Sequence, residues 1–389
     1  MVVPEFHEAH ILIIGAGPGG LVLAQCLKRM GISFEIFERE DGPRMQGWAV
    51  ALIESLEDLK EMLPSDIYAN LPTCSVNYGS GLTDRLALID GITGETAGVV
   101  GDGKPFLRAG RQGLRAVLRE GLDVQMAKVF THYEVIPGQG VIAHFEDGTT
   151  AKGTLLVGAD GSRSHVRSQL LQNENPLIQS QFVNVVGELD LSPDVYKPIE
   201  ELGSAGVLVY RPGLRYLIGR LGIDSELQIS KYYWAACAAS DTPVKDSEWV
   251  ANAPKEELYK RGVETTKGLP SFLTDIVRAT SANQMLQPPL RFVEFHFNGD
   301  ESLPLADHVT VLGDAAHTMV PFFLAGANSA VKDACDLAKA LQKFPGRAGL
   351  RRAQETYESI MVKRSKEMVL KSRAQGELDN LNQVLERVK

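Results

Sequence analysis

The 389-residue sequence predicts an α/β fold: a parallel sheet, an inserted antiparallel sheet and a helical C-terminus. Three observations support this prediction. The chain opens on a strand, a glycine-rich turn, a helix and a second strand, the unit that begins a parallel sheet. Residues 178–240 then hold short apolar strands separated by glycine, proline and aspartate, a spacing typical of antiparallel sheets. An apolar strand at 308–313 resembles the first sheet again, and the residues after 350 are charged and helical in pattern.

The composition is that of an ordinary globular protein, with 44% hydrophobic and 23% charged residues. The length suggests two or three domains, or one large composite domain. A net charge of −9 and a pI near 5.5 argue against a nucleic-acid partner, which normally meets a basic face. We therefore expect small-molecule partners and leave the oligomeric state open.

Neither the cysteines nor the termini indicate a special class of protein. The four cysteines, Cys26, Cys74, Cys237 and Cys335, show no CxxC or CxxH spacing, so we expect reduced thiols and no metal site. The first residues, MVVPEFHEAH, lack the basic region of a signal peptide. Because no apolar run reaches the roughly 18 residues that span a bilayer, we expect a cytoplasmic protein without a membrane span.

The first unit can be followed residue by residue. Residues 10–15 (HILIIG) read as a strand buried on both faces, and residues 21–31 as a helix that ends at Gly31. Residues 33–39 (SFEIFER) alternate as a second strand.

The remaining segments are assigned more coarsely. Residues 44–63 read as a loop and a helix, 73–107 as turn-rich, and 108–122 and 243–285 as helical. Residues 130–145 read as strands with a hairpin turn at 146–148, and 154–158 as a buried strand. In the tail, a narrow apolar stripe predicts a docked helix; it consists of Leu378, Leu381, Leu385 and Val388.

The turn after the first strand has the GxGxxG pattern, with Gly15, Gly17 and Gly20. Such a turn lets the backbone approach a diphosphate, which then sits on the N–H groups of the following helix. Glu38 follows 23 residues after Gly15, the spacing at which an acid reaches an adenosine ribose. This acid disfavours NADP at this turn but leaves both NAD and FAD open.

Two further motifs accompany this fingerprint. Residues 158–167 read GADGSRSHVR, and residues 309–334 read VTVLGDAAHTMVPFFLAGANSAVKDA. They resemble the "DG" and "GD" motifs of the single-component group A FAD-dependent monooxygenases, the aromatic hydroxylases. A weaker match, Arg108, Arg111 and Leu114, resembles that family's arginine-bearing helix beside the flavin. The three main motifs occur in the family's order and span residues 15–334.

The resemblance implies a glutathione-reductase-type FAD-binding Rossmann domain with an inserted antiparallel substrate domain. The expected FAD domain covers residues 1–75, 101–175 and 287–345. The substrate domain covers residues 76–100 and 176–286, and the C-terminal helical segment covers residues 346–389.

The resemblance also implies a set of cofactor residues. Glu38 would hold the ribose, Arg111 would lie near the diphosphate, and Asp314 would bond the ribityl or ribose hydroxyls. A helix that begins near Gly326 would direct its N-terminus at the flavin, favouring negative charge there. The full set is Gly15, Gly17, Pro18, Gly19, Gly20, Glu38, Arg39, Arg111, Asp160, Asp314, Pro321, Gly326, Ala327 and Asn328. Arg44 and Gln46 are either flavin contacts or loop residues. His317 is either a site residue or a packing residue of the loop. Arg167 of the DG motif is otherwise a surface residue or a structural ion-pair residue.

By the same resemblance, FAD would react with O2 to form a C4a-hydroperoxide that hydroxylates or epoxidises the substrate, in a setting such as secondary metabolism. NADH or NADPH would bind transiently, since the chain has a single dinucleotide fingerprint. The apolar segments KYYWAACAA and PFFLAG favour an apolar aromatic or polycyclic substrate between the antiparallel sheet and the flavin. Its predicted lining is Tyr210, Tyr216, Tyr232, Trp234, Phe322, Phe323 and Leu324, with Arg211 and Arg220 as further candidates.

One residue departs from the family pattern. Leu324 stands where the family places the first glycine of its GxGxN segment. A leucine lacks glycine's freedom at positive φ, so either the loop takes another path or the pocket is reshaped. This departure keeps a non-oxidative cyclase, isomerase or binding protein open as an alternative.

A flavin halogenase and a plain NAD dehydrogenase explain less of the sequence. A flavin halogenase would carry a WxWxIP motif, which none of Trp48, Trp234 and Trp249 fits. A plain NAD dehydrogenase leaves the two later motifs unexplained.

Overall fold

The computed structural model describes residues 8–42, 48–172, 177–224, 229–287, 291–299 and 301–377. Its strands are β1 (His10–Ile14), β2 (Ser33–Phe37), β3 (Ala49–Leu52), β4 (Leu86–Asp90), β5 (Thr96–Val100), β6 (Leu107–Gly110), β7 (Val124–Gln125), β8 (Phe130–Ile136), β9 (Gly140–Phe145), β10 (Thr150–Gly153), β11 (Leu155–Gly158), β12 (Ile178–Gln179), β13 (Phe182–Leu191), β14 (Gly206–Arg211), β15 (Leu214–Asp224), β16 (Ile229–Ala239), β17 (Val293–Glu294) and β18 (Val309–Val311). Its helices are α1 (Pro18–Met30), α2 (Ser55–Met62), α3 (Ser65–Asn70), α4 (Arg111–Arg119), α5 (His165–Leu170), α6 (Pro193–Leu202), α7 (Pro243–Asn252), α8 (Lys255–Thr265), α9 (Ser271–Ala279), α10 (Asp314–His317), α11 (Gly326–Lys343) and α12 (Gly346–Glu377).

A five-stranded parallel sheet forms the first layer, in the order β18-β11-β1-β2-β7. Its central strands are apolar and buried on both faces, because α1 packs against β1 and β2, and strands β10 and β9 pack against β1 and β11. Gly31 ends α1 in the left-handed conformation, with φ 70°. The predicted parallel sheet and its opening unit are confirmed.

A six-stranded sheet forms the second layer, in the order β13-β16-β15-β14-β4-β5. Its strands pair antiparallel, apart from the parallel pair β14–β4. The predicted antiparallel sheet is therefore confirmed, although the turn-rich stretch at 73–107 contributes two of its strands. Helix α6, inside the stretch read as strands, is a further difference, and it packs on the sheet through Tyr196 and Ile199.

A short antiparallel ribbon of β3 and β6 lies between the two layers. Both strands fall in segments whose sequence suggested loop or helix: β3 precedes α2, and β6 precedes α4. The helical assignment at 108–122 was therefore too long at its N-terminal end, and β3 lies in the part of 44–63 that was read as a loop before a helix. Four-residue strands like these carry little periodicity of their own and depend on each other for hydrogen bonds.

Helix α12 runs from the parallel sheet to the six-stranded sheet. Near its start Tyr357 donates to Val311 O at 2.9 Å, and near its end Arg215 donates to Gln375 O at 2.9 and 3.0 Å. The predicted apolar stripe at 378–388 lies outside the described residues.

The four cysteines are buried free thiols. Among the helices described, none combines the length and apolar character needed to cross a membrane.

Candidate active site

The glycine turn between β1 and α1 has room for a ligand at one position. An added Cβ on Gly15 would lie 2.4 Å from Ala159 O, and one on Gly20 would lie 2.1 Å from Gly15 O. Close contacts within the protein thus explain why Gly15 and Gly20 carry no side chain. A Cβ on Gly17 would meet nothing within 4 Å, although Gly17 caps the N-terminus of α1. The open side of the turn therefore lies at the helix N-terminus, where a diphosphate would sit.

The acid at the end of β2 is held in place by the same turn. Glu38 is buried; its Oε2 accepts from Ala16 N at 3.0 Å, and its Oε1 accepts from Glu40 N at 3.1 Å. Carboxylate oxygens accept more than one hydrogen bond, so Glu38 retains capacity for ribose hydroxyls. Arg39 is exposed beside it. Arg44 and Gln46, weighed from the sequence as flavin contacts, lie outside the described residues.

An arginine that the sequence analysis missed lies over this acid. Arg115 Nη2 is 3.3 Å from Glu38 Oε2, and Arg115 Nε donates to Ala16 O at 3.1 Å. Arg111, which the sequence did single out, is the first residue of α4, one helical turn earlier. The i, i+4 spacing of Arg111 and Arg115 along the helix was the available signal.

The DG turn at 158–167 joins the glycine turn to the loop of the GD motif. Asp160 Oδ2 accepts from His165 N and Val166 N at the start of α5, and burial raises the pKa of this carboxyl. Its Oδ1 is buried and has no hydrogen-bond partner among the described residues.

Arg167 is a buried bridge, so the surface alternative weighed from the sequence is wrong. Its side chain is 0% exposed, and Nη1 donates to Asp314 O at 3.1 Å and Ala315 O at 2.8 Å. Its Nη2 donates to Ser162 O, so one guanidinium connects both motifs.

A buried charge network holds the GD loop from the other side. Asp333 accepts from Gly313 N at 2.8 Å and from His317 Nε2 at 2.5 Å, and Arg364 of α12 donates to its second oxygen at 2.5 Å. His317 therefore packs within the loop. Asp314 itself is exposed, and its Oδ1 would lie 4.0 Å from a Cβ placed on Gly326. The loop thus presents an exposed carboxylate beside the N-terminus of α11.

The first turn of α11 offers main-chain donors, whereas its amide side chain is already used. Asn328 Oδ1 accepts from Ile53 N and Ser55 Oγ, and its Nδ2 donates to Ala51 O and Leu324 O. That amide therefore ties α11 to β3, and the predicted cofactor role of Asn328 would rest on its main chain. The N–H groups of Gly326 and Ala327 belong to the unsatisfied first turn.

Leu324 adopts the conformation that a glycine would adopt, with φ 54° and ψ 23°. The sequence left two outcomes open, a diverted loop or a reshaped pocket. The loop keeps a glycine-like path, so it is not diverted. The leucine side chain packs against the cluster of the six-stranded sheet that includes Leu86, Leu88 and Tyr210. The Leu324 side chain, which is larger than that of glycine, therefore forms part of the loop surface that faces the six-stranded sheet. Pro321 is exposed at the start of the same turn.

The six-stranded sheet has two apolar faces, which we call inner and outer. The outer face packs against α6, α7, α8 and α9. The inner face packs against residues from the GD loop and the β3 region, including Val320, Phe322 and Ile53.

Three predicted pocket residues lie on the outer face, so these predictions are corrected. Tyr216 donates to Leu273 O at 3.0 Å, Trp234 Nε1 donates to Thr280 Oγ1 at 2.8 Å, and Tyr232 packs beside Tyr196. All three are fully buried among the helices because alternate residues of a strand face opposite ways. Arg220 lies on this face as well, close to the Tyr232 ring.

Two of the remaining predicted lining residues meet at the inner face. Tyr210 donates to Phe322 O at 3.3 Å, and Phe322 contacts Phe182 and Phe292 edge-on. Phe323 is buried beside Phe322 in the same turn. Arg211 donates to Lys267 O at the sheet margin.

Sequence reasoning missed two aromatic residues at this face. Tyr233 occupies the inner side of β16, and Trp48 stacks on it with ring centroids 5.0 Å apart. The alternation along KYYWAACAA separated Tyr233 from its neighbours but gave no indication of which set faced inward.

The chain matches two families. The FAD binding domain family matches residues 114–372, and the NAD(P)-binding Rossmann-like domain family matches residues 13–51.

Curated relatives and solved structures agree with these matches. The FAD-dependent monooxygenase thnD of Trichoderma harzianum is 33% identical over 355 residues, which cover 86% of this chain and 83% of that protein. The FAD-dependent monooxygenase phnB of Penicillium herquei is 27% identical over 385 residues, covering 95% and 91%.

Two crystal structures share the fold. Klebsiella pneumoniae HpxO complexed with FAD and uric acid has a TM-score of 0.75 at 19% identity, covering 97% of this chain and 91% of that chain. Pseudomonas aeruginosa PqsL in complex with 2-aminobenzoylacetate has a TM-score of 0.73 at 20% identity, covering 98% and 99%. Together with the matched family and the thnD relationship, the turn, the two motifs and the sheet show that this chain belongs to the FAD-dependent monooxygenases.

Proposed function

We propose that the protein uses NAD(P)H and O2 to insert one oxygen atom into an apolar aromatic or polycyclic molecule, by hydroxylation or epoxidation, in secondary metabolism. One observation carries the proposal: the exposed Asp314 carboxylate and the start of α11 lie beside the apolar inner face of the six-stranded sheet. A cofactor held by Asp314 and the start of α11 would lie next to a substrate held against the inner face. We keep the domain boundaries predicted above as part of this proposal.

FAD fits the residues present. The N-terminus of α1 at Gly17 would take the diphosphate, Glu38 and Arg115 would surround the adenosine ribose, and Asp314 would bond flavin-side hydroxyls. Arg111 and Asp160 complete the proposed set. When bound, FAD supplies the activation of O2 and the transfer of one oxygen atom.

The chain's own residues would orient the substrate and exclude water. The inner face and the turn at 321–324 are apolar apart from a few hydroxyl and charged groups. A dry site protects a reactive oxygen donor from hydrolysis. HpxO and PqsL, which share the fold, were crystallised with uric acid and 2-aminobenzoylacetate, whose rings are flat, and this is consistent with a flat substrate here.

The glycine-like path of Leu324 weakens the non-oxidative alternative. That alternative arose because a leucine could divert the loop, but the loop keeps its conformation. We therefore retain the oxygenase as the single proposed function.

Oxygen incorporation tests this proposal directly. Purified protein should be yellow, and a substrate screen should find a compound that accelerates NADH or NADPH oxidation and gains one atom from isotopically labelled O2. Asp314→Ala should weaken FAD binding by about tenfold or more through loss of charge-assisted hydrogen bonds. Asp307→Ala, at an exposed carboxylate, is the matched control and should bind FAD normally.

A protein that contains FAD but never transfers labelled oxygen to any compound in the screen would argue against the oxygenase. Unchanged FAD affinity in Asp314→Ala would show that this residue only shapes the turn.

A further inference from the structure

A cavity of about 480 Å³ lies at the end of the parallel sheet where β1 and β2 begin. Three helices end beside it: α1 at Met30, α2 at Met62 and α11 at Lys343. The proposed diphosphate site is at the other end of α1, roughly 20 Å away along a helix of this length. The cavity is therefore separate from the proposed FAD and substrate region.

The walls of this cavity are mainly apolar. Met62, Leu341 and Leu350 are buried members of the main core, and the half-buried Met30 and Phe344 pack against them. Ligand pockets typically measure roughly 300–1,000 Å³ and combine an apolar lining with a few polar groups. Methionine side chains adapt to irregular shapes. The cavity therefore has the size and lining for a small molecule with an apolar body.

The ends of α1 and α2 at this cavity are already satisfied by the protein. Gly31 closes the last turn of α1 in the left-handed conformation. Arg29 Nη1 donates to Glu61 O and, at 3.1 Å, to Leu63 O at the end of α2. The Glu61 carboxylate pairs with Lys339 at 2.8 Å. Neither these two helix ends nor this carboxylate therefore requires a bound cation.

Two cations beside the cavity have no carboxylate partner. Lys343 Nζ lies 5.4 Å from the centroid of the Phe344 ring, and the Arg352 guanidinium carbon lies 4.6 Å from the same centroid. Both side chains are exposed, and neither forms an ion pair within the described part of the chain. Two like charges held this close repel each other, and an anion beside them would relieve the repulsion. A ring that lines the cavity thus holds two positive charges next to it.

We propose that this cavity binds an amphipathic carboxylate, with its apolar chain inside the cavity and its carboxylate beside Lys343 and Arg352. The apolar lining favours the chain, and the two cations favour the charge. The inference goes beyond the proposed function and does not depend on it, because the cavity lies apart from the cofactor and substrate region. It gives the protein a second ligand site, for a class of molecule other than a flat aromatic substrate.

Probes matched in chain length test the charge. Decanoate and decyltrimethylammonium carry the same apolar chain with opposite charges. Each is titrated calorimetrically into FAD-loaded protein at neutral pH and low salt, below the concentration at which it forms micelles. We expect decanoate to bind at least about tenfold more tightly. Octanoate, which is two methylenes shorter, should bind about tenfold more weakly than decanoate, because each buried methylene contributes about fourfold.

Substitutions at the cations and at the walls separate the charge from the cavity. Lys343→Gln combined with Arg352→Gln should reduce the preference for decanoate to about threefold or less, while decanoate still binds more tightly than octanoate. Ala9→Trp, at a half-buried wall residue, should fill the cavity and weaken decanoate binding by about tenfold or more. Ile32→Trp repeats this test from another wall if the first variant folds poorly. Arg278→Gln, at an exposed arginine of α9, is the control and should leave both affinities unchanged.

Equal affinities for decanoate and the ammonium probe, or no binding of either, would overturn the inference. So would decanoate binding that both tryptophan variants leave unchanged, because the probe would then occupy another region, such as the inner face.

Two other occupants of the cavity are checked by sedimentation. Protein that binds phosphatidylglycerol vesicles but not monomeric decanoate would assign this surface to a membrane. Self-association that Arg352→Gln abolishes, again without decanoate binding, would assign it to a second copy of the chain. Either result would contradict the inference. Failure of the proposed function would appear separately, as a protein without FAD or without oxygen transfer.

Discussion

At the scale of single residues, the loop of the GD motif contains two residues with positive φ angles, which most side chains disfavour. Gly313 has φ 59° and Leu324 has φ 54°, so the GD loop uses the left-handed region twice. For a leucine this region costs roughly 1–2 kcal/mol. Such a cost is often retained at functional positions, and here it places an apolar side chain against the inner face.

Substitution at Leu324 should reveal this strain. Leu324→Gly relieves it but loses the packing with the cluster of Leu86 and Leu88, so we expect a free energy of unfolding within about 1 kcal/mol of wild type. Leu324→Val keeps the strain and adds a branched Cβ, so we expect a loss of about 2 kcal/mol. Urea unfolding of the FAD-free proteins measures both values.

A valine variant as stable as the glycine variant would show that residue 324 does not hold the left-handed conformation in solution.

At the scale of elements, two arginines from distant parts of the chain fix the short helix α10. Arg167 of α5 holds its carbonyl oxygens, and Arg364 of α12 holds Asp333, which binds His317 and Gly313 N. The carboxylate of Asp314 is therefore positioned by contacts that span more than half of the chain. Short-range sequence patterns could not predict these contacts, because each partner lies in another element.

The His317–Asp333 pair should make stability depend on pH. Burial alone would lower the pKa of His317, but Asp333 raises it above the usual value of about 6.5. Burial alone would raise the pKa of Asp333, but His317 and Arg364 hold it below about 3.8. Asp314 also raises the pKa of His317, and Asp336 acts on Arg364, while the nearby Tyr357 stays neutral because burial raises its pKa.

The sign of each contribution follows from these shifts. The raised pKa of His317 stabilises the fold below about pH 6.5, and this stabilisation is lost as the pH rises through the raised value. The lowered pKa of Asp333 stabilises it above about pH 3.8, and this is lost on acidification. We expect His317→Gln to cost about 2 kcal/mol near pH 5–6 and less at alkaline pH, measured by urea unfolding. A loss of unfolding free energy that grows as the pH rises would contradict this prediction.

At the scale of the whole molecule, a ribbon and a long helix join two layers: the parallel sheet, which we propose as the cofactor layer, and the six-stranded sheet, which we propose as the substrate layer. The cofactor layer was predictable because its glycines, its acid and its two motifs have local physical reasons for their spacing. Gly15 and Gly20 are required by close backbone approach, and Glu38 by its place at a strand end.

The substrate layer was less predictable, and the reason is physical. Alternation along a strand separates two sets of side chains but does not say which set meets which layer. Tyr232 and Trp234 are as aromatic as Tyr233, yet they face the helices, whereas Tyr233 faces the ribbon. Only the packing of α6 to α9 on one face decides this.

The most direct test of the account is a crystal structure of the protein with FAD and an aromatic ligand such as naphthol. We expect the diphosphate at the start of α1, the flavin ring near the start of α11, and the ligand against the inner face beside Tyr233. A ligand bound on the outer face beside Trp234, or a flavin held away from Asp314, would contradict the central claim that these two layers form one oxygenase site.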